Sequence, residues 1–358
     1  MADSRHAYGA LRQLPCVWMR GGTSKAAFFH ARDLPADPAA RDRLLLAALD
    51  GQDKRQIDGI GGGLPLTTKL AIIAPPSRAD ADVDYLFGQL VIGENRIDYA
   101  PTCGNILAAV APFALEEGLL AATAPYSRVR IHMLNTRSLC EALLATPGGQ
   151  VAYRGDTRIS GVPGSAAPIE LAFHDVAGSS CGALYPTGHY RELVAGVAVT
   201  CIDNGMPVVL LAAQALGVSG YETPAELDAN LPFKQRLEQI RLAIGPRMGL
   251  GDVRNKVVPK MTLIAPPRHG GVIHTRSFIP HKCHDAIGVL GAASVASACV
   301  QPGTVCDGVA QLADPALLSV EHPGGEFSIR LRHGADGIPG VSLLRTARPL
   351  FRGAVQLP

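Results

Sequence analysis

Two residues in this chain have the type and setting to move protons: Cys103 and Lys69. Cys103 lies in PTCGNILAAVAPFALEEGL, 101–119, where no charged side chain occurs between Tyr99 and Leu115 and small or apolar residues fill every face. A helix that is apolar all round has to be enclosed. Cys103, Gly104 and Asn105 then fall at its start, where unpaired N–H groups and the positive end of the helix dipole attract anions and favour a thiolate. The stretch therefore offers a carboxylate site with a thiol beside it, with a buried structural cysteine as the competing reading. Lys69 follows two threonines and opens an apolar run at 70–74. A lysine held against apolar surface has its pKa lowered toward that of a general base; one at a solvated strand edge does not.

The neighbouring stretches have to position these groups. Residues 14–30 read as strand, Gly21-Gly22 turn and strand, gathering Arg20, Gly22, Thr23, Ser24 and Lys25 at the tip. Such a tip presents a guanidinium, hydroxyls and backbone N–H groups to a carboxylate, or is an ordinary polar hairpin. A short amphipathic helix is expected over 38–50, with Pro38 near its start. The glycines at 59–63 lack the spacing of a dinucleotide fingerprint. Segments 83–92 and 95–100 form a hairpin feeding the cysteine helix, and RVRIHML, SLCEALLA, QVAYRG and IELAFHDV follow as short strands. The second half repeats the theme. It has a strand, an Asn204-Gly205 turn and a strand over 197–217, an amphipathic helix over 224–245, and a strand in VPKMTLIAPP. HTRSFIPHKCHD then leads into a second enclosed helix, 283–300, uncharged from Ala286 onward, with Arg276, Ser277, His281 and His284 as carboxylate-binding donors at its start. His281, Cys283 and His284 have no fourth ligand at a recognisable spacing, so no metal site is expected.

The chain has 358 residues, 47% hydrophobic and 18% charged, which is the composition of a globular protein long enough for two domains. A net charge of +2 without a basic run argues against nucleic acid. The 283–300 stretch is dominated by Ala, Gly and Ser, which insert poorly into a bilayer, so no membrane span is expected. The first residues lack the apolar core of a signal peptide, and eight cysteines without a CxxC pair read as free thiols, both pointing to the cytoplasm. The 39 glycines suit a turn-rich, mostly antiparallel architecture.

RGGTSK at 20–25, QIDGIGG at 56–62, TTK at 67–69, CGNI at 103–106, DNGMP at 203–207, RSFIPH at 276–281 and RTARPLF at 345–351 occur in one order along the chain. Together they resemble the PrpF-type isomerases, whose fold is similar to that of diaminopimelate epimerase. The resemblance implies an α+β protein of two similar domains, each an antiparallel sheet or barrel curled round a central helix. The boundaries expected are 1–187, completed by strands at 345–358, and 188–344. It also implies a proton shift in an unsaturated tricarboxylate without any cofactor, with Lys69 as principal base and Cys103 opposite it. Thr68 and Asn204, inside matching motifs, become candidate substrate contacts. Among such isomerases the similarity is strongest to those acting on 4-oxalomesaconate in aromatic-acid breakdown, with aconitate, methylaconitate and methylitaconate as alternatives. The partners expected are a small polycarboxylate substrate and a second copy of the chain in a homodimer. Two readings compete: a two-thiol racemase using Cys103 and Cys283, and a non-catalytic accessory binding protein.

Overall fold

Leu14, Cys16, Val17, Trp18 and Met19 are all buried, so the first strand of the chain is covered on both faces. In the computed structural model, which describes residues 12–99, 102–173, 176–314, 317–333 and 339–357, the chain opens with β1 (Arg12–Gly21) and β2 (Ser24–His30). Pro101 and residues 1–11, on which part of the cysteine-helix and signal-peptide readings rested, lie outside the described residues. There follow α1 (Pro38–Leu49), β3 (Lys69–Ala74), β4 (Val83–Val91), β5 (Arg96–Asp98), α2 (Gly104–Leu107), α3 (Val110–Glu116), β6 (Tyr126–Met133), β7 (Ser138–Ala145) and β8 (Ile169–Phe173). The second half contains β9 (Glu192–Val194), β10 (Val197–Asp203), β11 (Pro207–Ala212), α4 (Pro224–Ala229), α5 (Leu231–Ile244), β12 (Lys260–Ala265), β13 (Ile273–Phe278) and α6 (Val289–Val300). It closes with β14 (Leu317–His322), β15 (Gly325–His333), β16 (Pro339–Arg345) and β17 (Ala347–Leu357).

The chain divides into two compact units, Met1–Ile169 with Arg345–Pro358, and Glu170–Leu344. In the first, the strands pair in the order β17, β1, β2, β3, β4, β6, β7. In the second the order is β9, β10, β11, β12, β13, β14, β15, β16. The sheets are mixed, not antiparallel as expected. The steps β2–β3, β4–β6, β11–β12 and β13–β14 are parallel. A parallel step needs a crossover that no hairpin supplies, and at each of these steps the intervening chain contains a helix.

Local sequence accounts for where the helices begin and break. Asp37 caps α1 by accepting from Ala40 N at 2.8 Å, and Pro38 sits at the first position, where no N–H is needed. The single helix expected over 101–119 is divided into α2 and α3. Pro112 has no N–H to bond the carbonyl of Ala108, which loosens the turn between them. Likewise the helix expected over 224–245 is α4 and α5, parted at Asn230, whose side chain caps α5 by accepting from Phe233 N at 3.2 Å. The second uncharged helix starts at Val289 after Gly288, not at Cys283, and Gly291 through Cys299 are buried on every face. QVAYRG forms no strand. Among the described residues, no helix is long and apolar enough to cross a membrane.

One buried charge fastens the loop between β12 and β13. Glu321 is 2% exposed and accepts from the N–H groups of Arg268, His269 and Gly271, with His274 Nδ1 at 2.9 Å. Burial opposes its charge, but these bonds outweigh burial and hold the carboxyl at about 2. Stability from this group is present above the ordinary glutamate pKa and is lost as pH falls toward 2. Glu321→Gln should therefore cost about 1–3 kcal/mol in urea unfolding at pH 7. The gap from the unsubstituted protein should shrink steadily below about pH 4.5.

Candidate active site

The β1–β2 hairpin tip and the start of α2 meet in the first unit at a distance only glycine permits. A Cβ on Gly21 would lie 2.3 Å from the carbonyl oxygen of Asn105, and one on Gly22, whose φ is +50°, would lie 2.1 Å from Asn105 Oδ1. Asn105 Nδ2 donates to Thr23 Oγ1 at 3.0 Å, and Gly22 N donates to Thr346 O at 2.9 Å. Gly22 and Thr23 are thus brought against Asn105, with Arg20 and Gly104 close by along the chain. Ser24, next along the tip, is 1% exposed, and its hydroxyl has no partner among the described residues.

Cys103 is the N-cap of α2 and is partly exposed, so the buried structural reading does not hold for it. Two groups that the sequence did not single out interact with it electrostatically. Arg345, 5% exposed, is pushed down to about 10 by burial, and attraction to Cys103 pulls partly against that. The Tyr85 phenol is raised by burial and further by Cys103, and its hydroxyl has no hydrogen-bond partner among the described residues. Arg345 opens the RTARPLF motif, which was the signal available for it. Tyr85 had none, because its place depends on the β3–β4 ladder.

Lys69 is no edge residue. It lies between β2 and β4, opposite Ala26 and Gln89, and is 7% exposed. Its Nζ donates to Gln89 Oε1 and lies 5.4 Å from the centre of the Phe87 ring. The Gln89 side chain is fixed in turn by donating to the carbonyls of Pro65, Thr68 and Leu90. Thr68 has a different task from the one expected. It is fully buried, donates to Gln56 Oε1 at 2.7 Å and accepts from Gly62 N at 3.1 Å. Its hydroxyl therefore ties down the glycine loop that leads into Lys69 and is not available to a ligand.

The second-unit candidates separate into fasteners and available groups. The amide of Asn204 is buried against α6, donating through Nδ2 to Ser297 Oγ at 2.8 Å and through its N–H to Ser294 Oγ at 3.0 Å. Arg276 donates to the carbonyls of Glu222, Thr275 and Tyr221 and contacts His274, so its guanidinium is a clamp on local backbone. Ser277 accepts from Thr262 Oγ1 at 3.1 Å. His281 is exposed, 3.6 Å from Glu238. These four residues were expected to bind substrate and are instead committed to the fold or to the surface. A helix start drawn at Cys283 misplaced the last three, since α6 begins at Val289. His284 remains available. Its Nδ1 accepts from Ala286 N at 2.8 Å, which leaves Nε2 as the donor of a neutral ring, and burial lowers its pKa.

Lys260 is the residue that sequence reasoning missed outright. It opens β12 as Lys69 opens β3, and each strand lies parallel to the strand before it and antiparallel to the one after. Burial pushes its ammonium down to about 8. The signal was present in the sequence as KLAIIAPP at 69–76 against KMTLIAPP at 260–267. Cys283 is not the counterpart of Cys103. It is 2% exposed, lies upstream of the α6 start, and burial pushes its thiol up to about 12. Among the described residues, no three of His, Cys, Asp and Glu converge as ligands of a metal ion.

Comparison with known proteins gives a consistent picture. The chain is 57% identical over 347 residues to a 4-oxalomesaconate tautomerase of Pseudomonas putida, covering 96% of each. It is 53% identical over 344 residues to a (4E)-oxalomesaconate Delta-isomerase of Novosphingobium sp., covering 95% of this chain and 96% of that one. A crystal structure of a methylitaconate-delta-isomerase superposes with a TM-score of 0.86 at 32% identity, covering 98% of this chain and 96% of the other. The PrpF protein model matches residues 11–358. With that match along nearly its whole length, the chain belongs to the PrpF family.

Proposed function

We propose that this protein is a cofactor-independent isomerase that moves a proton within an unsaturated tricarboxylic acid, 4-oxalomesaconate before aconitate or methylitaconate. The observation that carries this reading is Lys69, a buried lysine held by Gln89 at the head of an interior strand, in a chain more than half identical to proteins named for that reaction. A CH2 group conjugated through an alkene to a ketone and carboxylates gives up a proton to form a dienolate. The reaction needs one base, one group to return the proton, and donors for the growing charge.

In this reading the Lys69 amine takes the proton from carbon while Gln89 orients it. Cys103 returns a proton to the conjugated system, with the Arg345 guanidinium beside it. The backbone N–H groups at Gly104 and Asn105 and the tip residues Arg20, Gly22, Thr23 and Ser24 are the proposed carboxylate contacts. Buried Ser24 and Tyr85 hydroxyls without partners suit groups that complete their hydrogen bonding on a substrate. We also propose that each unit is an epimerase-like domain with its sheet wrapped around one apolar helix run. We further propose a homodimer in the cytoplasm, a compartment in which its eight cysteines, all free, would stay reduced.

Lys69→Met keeps the aliphatic stem and removes the base, so turnover of 4-oxalomesaconate should fall about 10²–10⁴-fold with the fold intact by circular dichroism. Cys103→Ser should slow turnover less, and Cys283→Ser should leave it near normal because that thiol is buried and strongly protonated. Near-normal turnover in Lys69→Met together with loss in Cys283→Ser would favour the two-thiol mechanism instead.

Proton NMR in D2O reads the regiochemistry directly. Incubation with 4-oxalomesaconate should place one deuterium at the carbon that gains the proton, whereas aconitate and methylitaconate should exchange more slowly. Exchange with none of these acids would return the protein to the accessory-binding reading.

A further inference from the structure

Three cations stand in one row across the sheet of the first unit. Arg348 of β17 is directly opposite Arg20 of β1, and Arg20 is directly opposite Lys25 of β2. Directly opposed residues share a face, and like charges so placed repel. No carboxylate among the described residues relieves this row. Arg20 donates only to the carbonyls of Gly22 and Thr346 and to Thr346 Oγ1, and neither Arg348 nor Lys25 forms an ion pair. The strain is visible at Arg20, whose guanidinium is pushed down by burial and further by the charge of Arg348.

Beside this row lies a cavity of about 710 Å³, lined by Arg20 and Arg348 and, from the segment 153–166, by a third arginine, Arg154. That segment is a built turn. Thr157 and Ala166 exchange both backbone hydrogen bonds, at 3.1 and 3.0 Å, and Ala167 N donates to Tyr153 O at 3.1 Å. Thr157, Ser165 and Thr346 also line the cavity. Its one carboxylate, Asp156, is exposed and pairs with none of the arginines. The volume is that of a small-ligand pocket. Arg154 and Arg348, whose guanidiniums have no partner among the described residues, and Arg20, whose Nη1 is held by Gly22 and Thr346 while Nε and Nη2 are not, match a molecule carrying several carboxylates.

We propose that this cavity is a polycarboxylate-binding site in which Arg154 and Arg348 join Arg20 in neutralising the ligand. The ligand turns a repelling row into an ion-paired one, so the site is built at a cost to the empty protein. The inference goes beyond the Lys69 and Cys103 chemistry and is tested without turnover. The source is either the reaction's own tricarboxylate or a second small carboxylate.

The probe is tricarballylate, a saturated tricarboxylate with no alkene or ketone to isomerise. Calorimetric titration should give saturable binding to the unsubstituted protein, weakened about tenfold or more in Arg348→Met and in Arg154→Met. Arg348→Glu should abolish binding yet raise the melting temperature of the ligand-free protein, because it pairs with Arg20. A merely structural arginine would lower that temperature when replaced. Lys69→Met should bind tricarballylate like the unsubstituted protein, so failure of the base assignment and failure of this site give different results. In assays of 4-oxalomesaconate turnover, competitive inhibition by tricarballylate assigns the cavity to the substrate, and non-competitive inhibition assigns it to a second carboxylate. Absence of saturable binding, or unchanged affinity in both Arg348→Met and Arg154→Met, overturns the proposal.

Discussion

The contact on which the first unit's site depends is backbone against backbone: the Gly21-Gly22 tip pressed onto Asn105, one residue inside the helix that Cys103 caps. Any side chain at Gly21 would meet a carbonyl oxygen, which cannot rotate away as a flexible side chain does. The tip therefore sets the height of the α2 start, and through the hydrogen bond from Gly22 to Thr346 it also anchors the returning chain at the head of β17. Arg20, Thr23, Cys103, Arg345 and Arg348 come from three separate stretches of sequence. Their relative placement is inherited from this one close approach and from the β17–β1–β2 ladder.

The two units run the same succession of strand pairings, and the differences between them are informative. Each has a lysine opening its third core strand and an apolar helix run after its fourth. In the first unit the hairpin tip leaves Arg20 and Thr23 near the helix start. In the second, Asn204 is stitched to Ser294 and Ser297 within α6. The Ser24 and Tyr85 hydroxyls of the first unit have no hydrogen-bond partner among the described residues, whereas the Asn204 amide of the second is fastened to α6. Unmatched buried groups lower stability unless a ligand completes them, so they accumulate where function needs them.

Buried cations show the same division. Arg241 is fully buried, and its guanidinium is occupied by Glu238 and by the carbonyls of Val253, Lys256 and Val258. Arg276 is bound in a similar way. A structural arginine has its donors taken up by its surroundings, because burying an unpaired charge is costly. Exposed Arg348 departs from that pattern, lying opposite Arg20 with no acid or carbonyl on its guanidinium among the described residues. The distinction separates fasteners from candidate ligand contacts better than residue type or motif membership does.

Much of this protein was legible in the chain itself. The enclosed helices followed from the absence of charge, the hairpin tips from glycine pairs, α1 from an amphipathic run with Pro38 near its start, and the candidates Lys69 and Cys103 from reactive side chains set against apolar runs. These are local properties, carried by a few consecutive residues. What the chain could not disclose was which polar groups are already engaged. Thr68, Asn204 and Arg276 sit in the same motifs as the candidate site residues, yet their hydrogen bonds close on Gln56, on α6 and on the 221–222 backbone, partners far away in sequence. The mixed character of the sheets, the burial of Cys283 and the row of Arg348, Arg20 and Lys25 likewise arise only when distant strands come into register. Side-chain type determines what chemistry is possible, but long-range pairing decides which groups remain free to perform it.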